Sequence, residues 1–87
     1  MSQAMAELGA VEQEIAVIFR DMLKISVPTR ETDLLATGIL DSVGFVNLIL
    51  HLEERFGFHI AMETLEPDNL RSITSIAVFV SGQRQAA

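Results

Sequence analysis

Two neighbouring side chains in "GILDSVGFVNLILHLEERFG", residues 38–57, carry the most suggestive chemistry of the chain. Ser42 offers a hydroxyl and Asp41 a carboxylate, side by side at the start of an apolar, helix-periodic run. A serine nucleophile needs a base within hydrogen-bond reach and donors for the developing oxyanion. "LDSVG" matches only half of the G-x-S-x-G elbow, because Leu40 stands where the first glycine belongs. His51 lies nine residues on, half a turn around the same helix, so it cannot serve Ser42 as base. His59 reaches Ser42 only through an unusual fold. A hydrolase triad is not what these residues make.

Other chemistries fall away in turn. The chain has no cysteine, which excludes disulfides, thiolate-bound zinc and cysteine nucleophiles, and two histidines are too few for a histidine-based metal centre. "DLLATG" from Asp33 begins like a calcium loop, but Leu35 and Thr37 occupy ligand positions and Gly44 falls where the bidentate glutamate belongs. The carboxylate pairs Glu53 with Glu54 and Glu63 with Glu66 read as solvated surface charge. The net charge of −6 argues against nucleic acid, which needs clustered Lys and Arg, and favours a basic partner surface. There is no Trp or Tyr for stacking on bases or sugars. No apolar run reaches the roughly 18–20 residues of a membrane span, and "MSQAMAELGA" lacks the features of a signal peptide. A cytoplasmic location is the expectation.

The elements that must hold Ser42 follow from periodicity. Leu8, Val11, Ile15, Ile18, Phe19 and Met22 recur at three- and four-residue steps, predicting one helix over about residues 5–25 that ends before Pro28. A long connection follows, anchored by Leu34, Leu35, Ile39 and Leu40, in which "TDLL" suits a single turn capped by Thr32 or Asp33. The second main helix runs from Ser42 to Phe56, with Ser42 or Asp41 as its N-cap and Gly57 as its stop. Pro67 suits the first turn of a brief helix. "SITSIAVFVSG" is a last helix, capped by Ser72, stopped near Gly82, and facing inward through Ile73, Ile76, Ala77 and Val80. "IAVFV" is also rich in β-branched residues, but no second strand exists to pair with it. The expected fold is all-α: a small bundle of three main helices plus one short helix, with a long first loop.

Projected at about 100° per residue, Phe45, Leu48, Ile49, Leu52 and Phe56 form the core stripe of the second helix. Gly44, Asn47, His51 and Arg55 are placed toward water, and Val43, Val46, Leu50 and Glu54 form a flank of their own. Two readings of that flank stand. It touches the loop or the last helix, as wide apolar faces often do, or it is a docking surface for a partner.

The whole pattern resembles the acyl carrier protein family, the phosphopantetheine-binding domains. That family has an Asp-Ser pair opening a helix that closes on an acidic pair and "FG". Here these are Asp41, Ser42 and Val43, then Glu53, Glu54, Phe56 and Gly57. The first amphipathic helix, the upstream "DLLATG" and the downstream "LRSITSIAVFV" sit in the family's order, so the resemblance covers roughly residues 8–81.

The resemblance implies a non-catalytic carrier with 4'-phosphopantetheine attached covalently at Ser42, donated from coenzyme A by a phosphopantetheinyl transferase. The helix N-terminus suits the added phosphodiester charge, and the prosthetic thiol supplies the nucleophile this cysteine-free chain lacks. It places Asp41 at the transferase and metal-binding edge, and assigns Val43, Val46, Leu50, Glu53 and Glu54 to partner recognition. The expected partners are the transferase, an acyl- or aminoacyl-loading ligase, and downstream transferases or synthases. Val43 departs from the family's usual Leu or Met, and Gly44 and Asn47 stand where fatty-acid carriers usually show acids. "GILDSVG" is similar to the D-alanyl branch and other aminoacyl or specialised carriers. The expected organisation is one free-standing, monomeric carrier domain over residues 1–82, with a short polar tail at 83–87. The alternative is an unmodified protein-interaction module with the carrier fold.

Overall fold

The computed structural model describes residues 3–61, 63 and 65–86. Helix α1 spans Gln3–Val17 and passes without a break into a π-helical turn, Ile18–Met22. Val11, Ile15, Ile18 and Phe19 are buried, and Leu8 packs against them. Met22 does not join them: it is 61% exposed, contrary to the periodic pattern. The cause is local. The Leu23 N–H donates to the Ile18 carbonyl, five residues back, at 3.0 Å, so the last turn holds more residues than an α turn and later side chains are rephased. Lys24 then takes a left-handed backbone (φ 57°), and the Ile25 N–H donates to the Phe19 carbonyl at 2.8 Å. The helix thus ends at Met22, before Pro28 as expected but three residues short of the expected end at Ile25.

The long connection is pinned at both sides. Leu34 is fully buried, and its N–H donates to the Arg71 carbonyl at 2.7 Å. The Thr74 N–H donates to the Arg30 carbonyl at 3.1 Å, tying the loop to the start of the last helix. Asp33 caps the expected turn, its Oδ1 accepting from the N–H groups of Leu35 (3.1 Å) and Ala36 (2.9 Å). Its Oδ2 takes a bond from Arg71 at 2.9 Å, and Arg71 also holds Asp68. The Ala36 N–H, with the Arg71 guanidinium, keeps the Asp33 carboxyl below the usual carboxylate range.

Helix α2 runs Ser42–Phe56 and stops at Gly57, whose φ of 70° and N–H bond to the Glu53 carbonyl (2.9 Å) make a left-handed C-cap. A 3-10 turn, Pro67–Leu70, carries proline at its first position. Helix α3 spans Ile73–Ala86, and the Ser72 hydroxyl accepts the Ser75 N–H at 3.1 Å as its cap. It runs through Gly82 instead of stopping there, so residues 83–86 of the expected tail are helical; a mid-helix glycine costs only about 1 kcal/mol.

α1 lies against α3, the 3-10 turn packs on α3, and the π turn meets α2. Between them sit Phe19, Ile15, Leu34, Leu48, Leu52, Leu70, Ile76 and Val80, all essentially fully buried. Each such side chain contributes about 1.5–3 kcal/mol relative to exposure. No strand forms among the described residues, and none of their helices is long and apolar enough to cross a membrane. The all-α expectation holds.

Candidate functional site

Ser42 is the first residue of α2 and is exposed. It is not the cap. Asp41, in extended backbone (φ −90°, ψ −175°), is the N-cap, and its Oδ1 accepts the Gly44 N–H at 2.7 Å. The sequence left that role to either residue, and the plain explanation of the serine as a cap fails here. An aspartate in the cap position satisfies the orphan N–H at the third helical residue, so the adjacent hydroxyl is left over. Among the described residues the Ser42 hydroxyl has no hydrogen-bond partner. Gly44 fits the close quarters of this cap: a Cβ there would meet Asp41 Oδ1 at 3.1 Å and Leu40 Cδ1 at 3.2 Å.

No histidine comes to Ser42. His51 is half-buried and lines a cleft with Ile18 and Met22, and His59 Nδ1 lies 3.1 Å from Glu53 Oε2. His51 was placed toward water by projection; the packing of α2 on the π turn covers it, and Gly44 is likewise partly covered. Among the described residues no three His, Asp or Glu side chains converge on a candidate metal position.

What surrounds Ser42 instead is apolar. Leu35, Leu40, Phe45 and Val46, with Asp41 and Ser42 at the rim, line an open cleft of about 330 Å³. Phe45, assigned to the core stripe, is only half-buried and divides its surface between core and cleft. Leu35 and Leu40 read in the sequence as loop anchors; their periodicity carried no sign that they also border the serine.

The flank of α2 turns out to be its outermost face. Val43 is 68% exposed, Leu50 55% and Val46 49%, so neither the loop nor α3 covers them. Glu54 is exposed on the same face. Glu53 behaves differently. Its Oε2 accepts the Ile60 N–H at 2.7 Å and faces His59, which bends the carboxylate onto the loop after α2. The contiguous acidic pair of the sequence is therefore split between a loop brace and a surface charge.

An exposed hydroxyl with no bond among the described residues, at the positive end of a helix and beside an apolar cleft, suits the attachment of an anionic group. The helical bundle and this site define a small carrier-type domain. The sequence agrees: the family model described as the phosphopantetheine attachment site matches residues 13–79, most of the chain, and the protein belongs to that family. No curated protein matches the sequence significantly. Members of the family carry 4'-phosphopantetheine covalently, are themselves non-catalytic, and are substrates of a phosphopantetheinyl transferase. The residues here fit that group: the hydroxyl is accessible, the capping carboxylate is turned onto Gly44, and the first-turn N–H groups of α2 favour a phosphodiester.

Proposed function

We propose that Ser42 is the attachment point of 4'-phosphopantetheine and that the protein carries acyl or aminoacyl groups to partner enzymes. The observation that supports this best is the exposed Ser42 hydroxyl, released from capping by the Asp41–Gly44 bond. In the transfer, Ser42 Oγ forms a new bond to the phosphorus nearest the pantetheine of coenzyme A. The pyrophosphate P–O bond breaks, adenosine bisphosphate leaves, and the hydroxyl proton passes to a base of the transferase. This chain's part is to present the hydroxyl and to stabilise the product's negative charge at the N-terminus of α2. The attached group supplies a thiol that holds the cargo as a thioester. Asp41 lies at the edge the transferase approaches.

Val43, Val46 and Leu50, with Glu54 among them, are the docking surface for the transferase, a loading ligase and downstream transferases or synthases. Their exposure and the net charge of −6 suit partners with apolar contacts rimmed by Lys or Arg. Glu53 joins this surface through the position of the loop it braces. Gly44 and Asn47, in place of acids, make the face less acidic than that of a fatty-acid carrier, which supports aminoacyl or specialised acyl cargo.

Incubation with coenzyme A and a broad-specificity transferase is expected to add one phosphopantetheine by intact-protein mass spectrometry, and none to Ser42→Ala. An unmodified wild type, or an adduct that survives Ser42→Ala, would refute the assignment.

A further inference from the structure

The π turn that ends α1 does more than close a helix. It moves Met22, a residue in phase with the core, to 61% exposure beside α2. There Met22 and Ile18 form one wall of an open cleft of about 230 Å³, and His51, Glu54 and Arg55 of α2 form the other. Ile18 is the buried floor, so the cleft has an apolar bottom. Its rim is unevenly charged. Arg55 is held by Glu14 of α1 at 3.0 Å, whereas Glu54 makes no ion pair among the described residues. Glu54 stands one turn beyond Leu50, so the cleft continues the exposed strip of α2 without a gap.

We propose that this cleft is a second anchor point for the enzyme that docks on α2 to reach Ser42, taking a bulky apolar side chain against Met22 and Ile18 and a Lys or Arg against Glu54. The proposal rests on the reading of α2's outer face as the docking surface. Three arguments select this occupant. His51 lies nine residues beyond Ser42, about 14 Å along the helix. A standard interface covers about 800 Å² per partner, a patch on the order of 30 Å across, so one enzyme footprint spans both. The exposed Glu54 and the net charge of −6 call for a cationic rim. A second copy of this chain would bring the same negative charge instead. Methionine, flexible and polarizable, is also suited to accept differing side chains from successive partners.

The test is the rate of phosphopantetheine transfer from coenzyme A by a broad-specificity transferase, measured against concentration of the full chain. Met22→Gln and Glu54→Gln are each expected to raise KM roughly fivefold to tenfold with kcat unchanged. Both positions are exposed, and thermal melts matching wild type would exclude a folding defect. A KM for Met22→Gln within about twofold of wild type, while Leu50→Gln or Glu54→Gln raises it, would overturn the cleft and leave the strip standing. If Val43→Gln and Leu50→Gln were equally silent, the docking face itself would fall. A concentration-dependent dimer abolished by Met22→Gln would overturn the proposal in favour of self-association.

Discussion

Asp41 Oδ1 accepts the backbone N–H of Gly44 at 2.7 Å, across Ser42, the first residue of the helix, whose hydroxyl is thereby left without a structural duty among the described residues. Cap and proposed attachment point are adjacent but separate. Asp41→Ala is expected to lower stability by about 1 kcal/mol, with Asp41→Asn recovering most of it, because either side-chain oxygen can accept the bond. Ser42→Ala should stay within about 0.5 kcal/mol of wild type. Urea unfolding of the three variants checks both statements. A large loss in Ser42→Ala would mean that the hydroxyl, too, holds the helix.

Leu34 is the loop residue on which the core depends. It is fully buried although it belongs to no helix, and its N–H is bonded to the Arg71 carbonyl. Leu34→Ala should cost about 2–5 kcal/mol, a large share of the stability of so small a domain. Thermal denaturation would show it, and the cleft beside Ser42 should loosen with it.

Glu53 should prove to be a brace first. Glu53→Ala leaves the Ile60 N–H without its acceptor and is expected to cost about 1–3 kcal/mol. Glu53→Gln keeps a carbonyl oxygen for that bond and should cost less. Amide exchange at Ile60, fast in Glu53→Ala and slow in Glu53→Gln, separates the brace from a pure surface role.

Acid should act on the loop staple. The Asp33 carboxyl is held below its ordinary value by the Ala36 N–H and by Arg71, so its folded pKa is lower than the roughly 3.9 of the unfolded chain. A group depressed in this way adds stability above the unfolded value, and the contribution is lost as pH falls through the folded one. The melting temperature is therefore expected to drop below about pH 4, and Asp33→Asn should show a smaller acid-dependent drop. Equal pH profiles for the two proteins would show that the staple is not the titrating element.

The legible and illegible parts of this protein differ in the range of the forces that set them. The two ends of α2 could be read because an aspartate cap and a left-handed glycine act within three or four residues. The burial of Val11, Ile15 and Phe19 followed from spacing alone, and the short turn at Pro67 and the cap at Ser72 from residue type. Met22 could not be read, since the π turn that expels it answers to packing against α2 and to the left-handed Lys24, neither visible in a periodic pattern. The bond from the Ile60 N–H to Glu53 spans a loop of unpatterned sequence, so an apparent acidic pair concealed a brace. At the site, Asp41 and Ser42 were found together, but their division of labour depends on one bond that either side chain is able to make. The flank of α2 was named residue by residue; that it is bare, while His51 and Gly44 on the side placed toward water are partly covered, required the fold.

The π turn also has a bearing on how this chain can change. Read as a string, such a turn is a one-residue insertion that a helix has absorbed without breaking. Deleting any residue from Ile18 to Asp21 would restore ordinary pitch and carry Met22 inward, while the chain beyond it would enter the loop from a different direction. Phe19, Leu23 and Ile25 would then compete for places now settled. A single-codon deletion there would act as a frame error in three dimensions, felt at Leu34 and, through it, at the mouth of α2. Substitution can tune this end of the protein; change of length cannot.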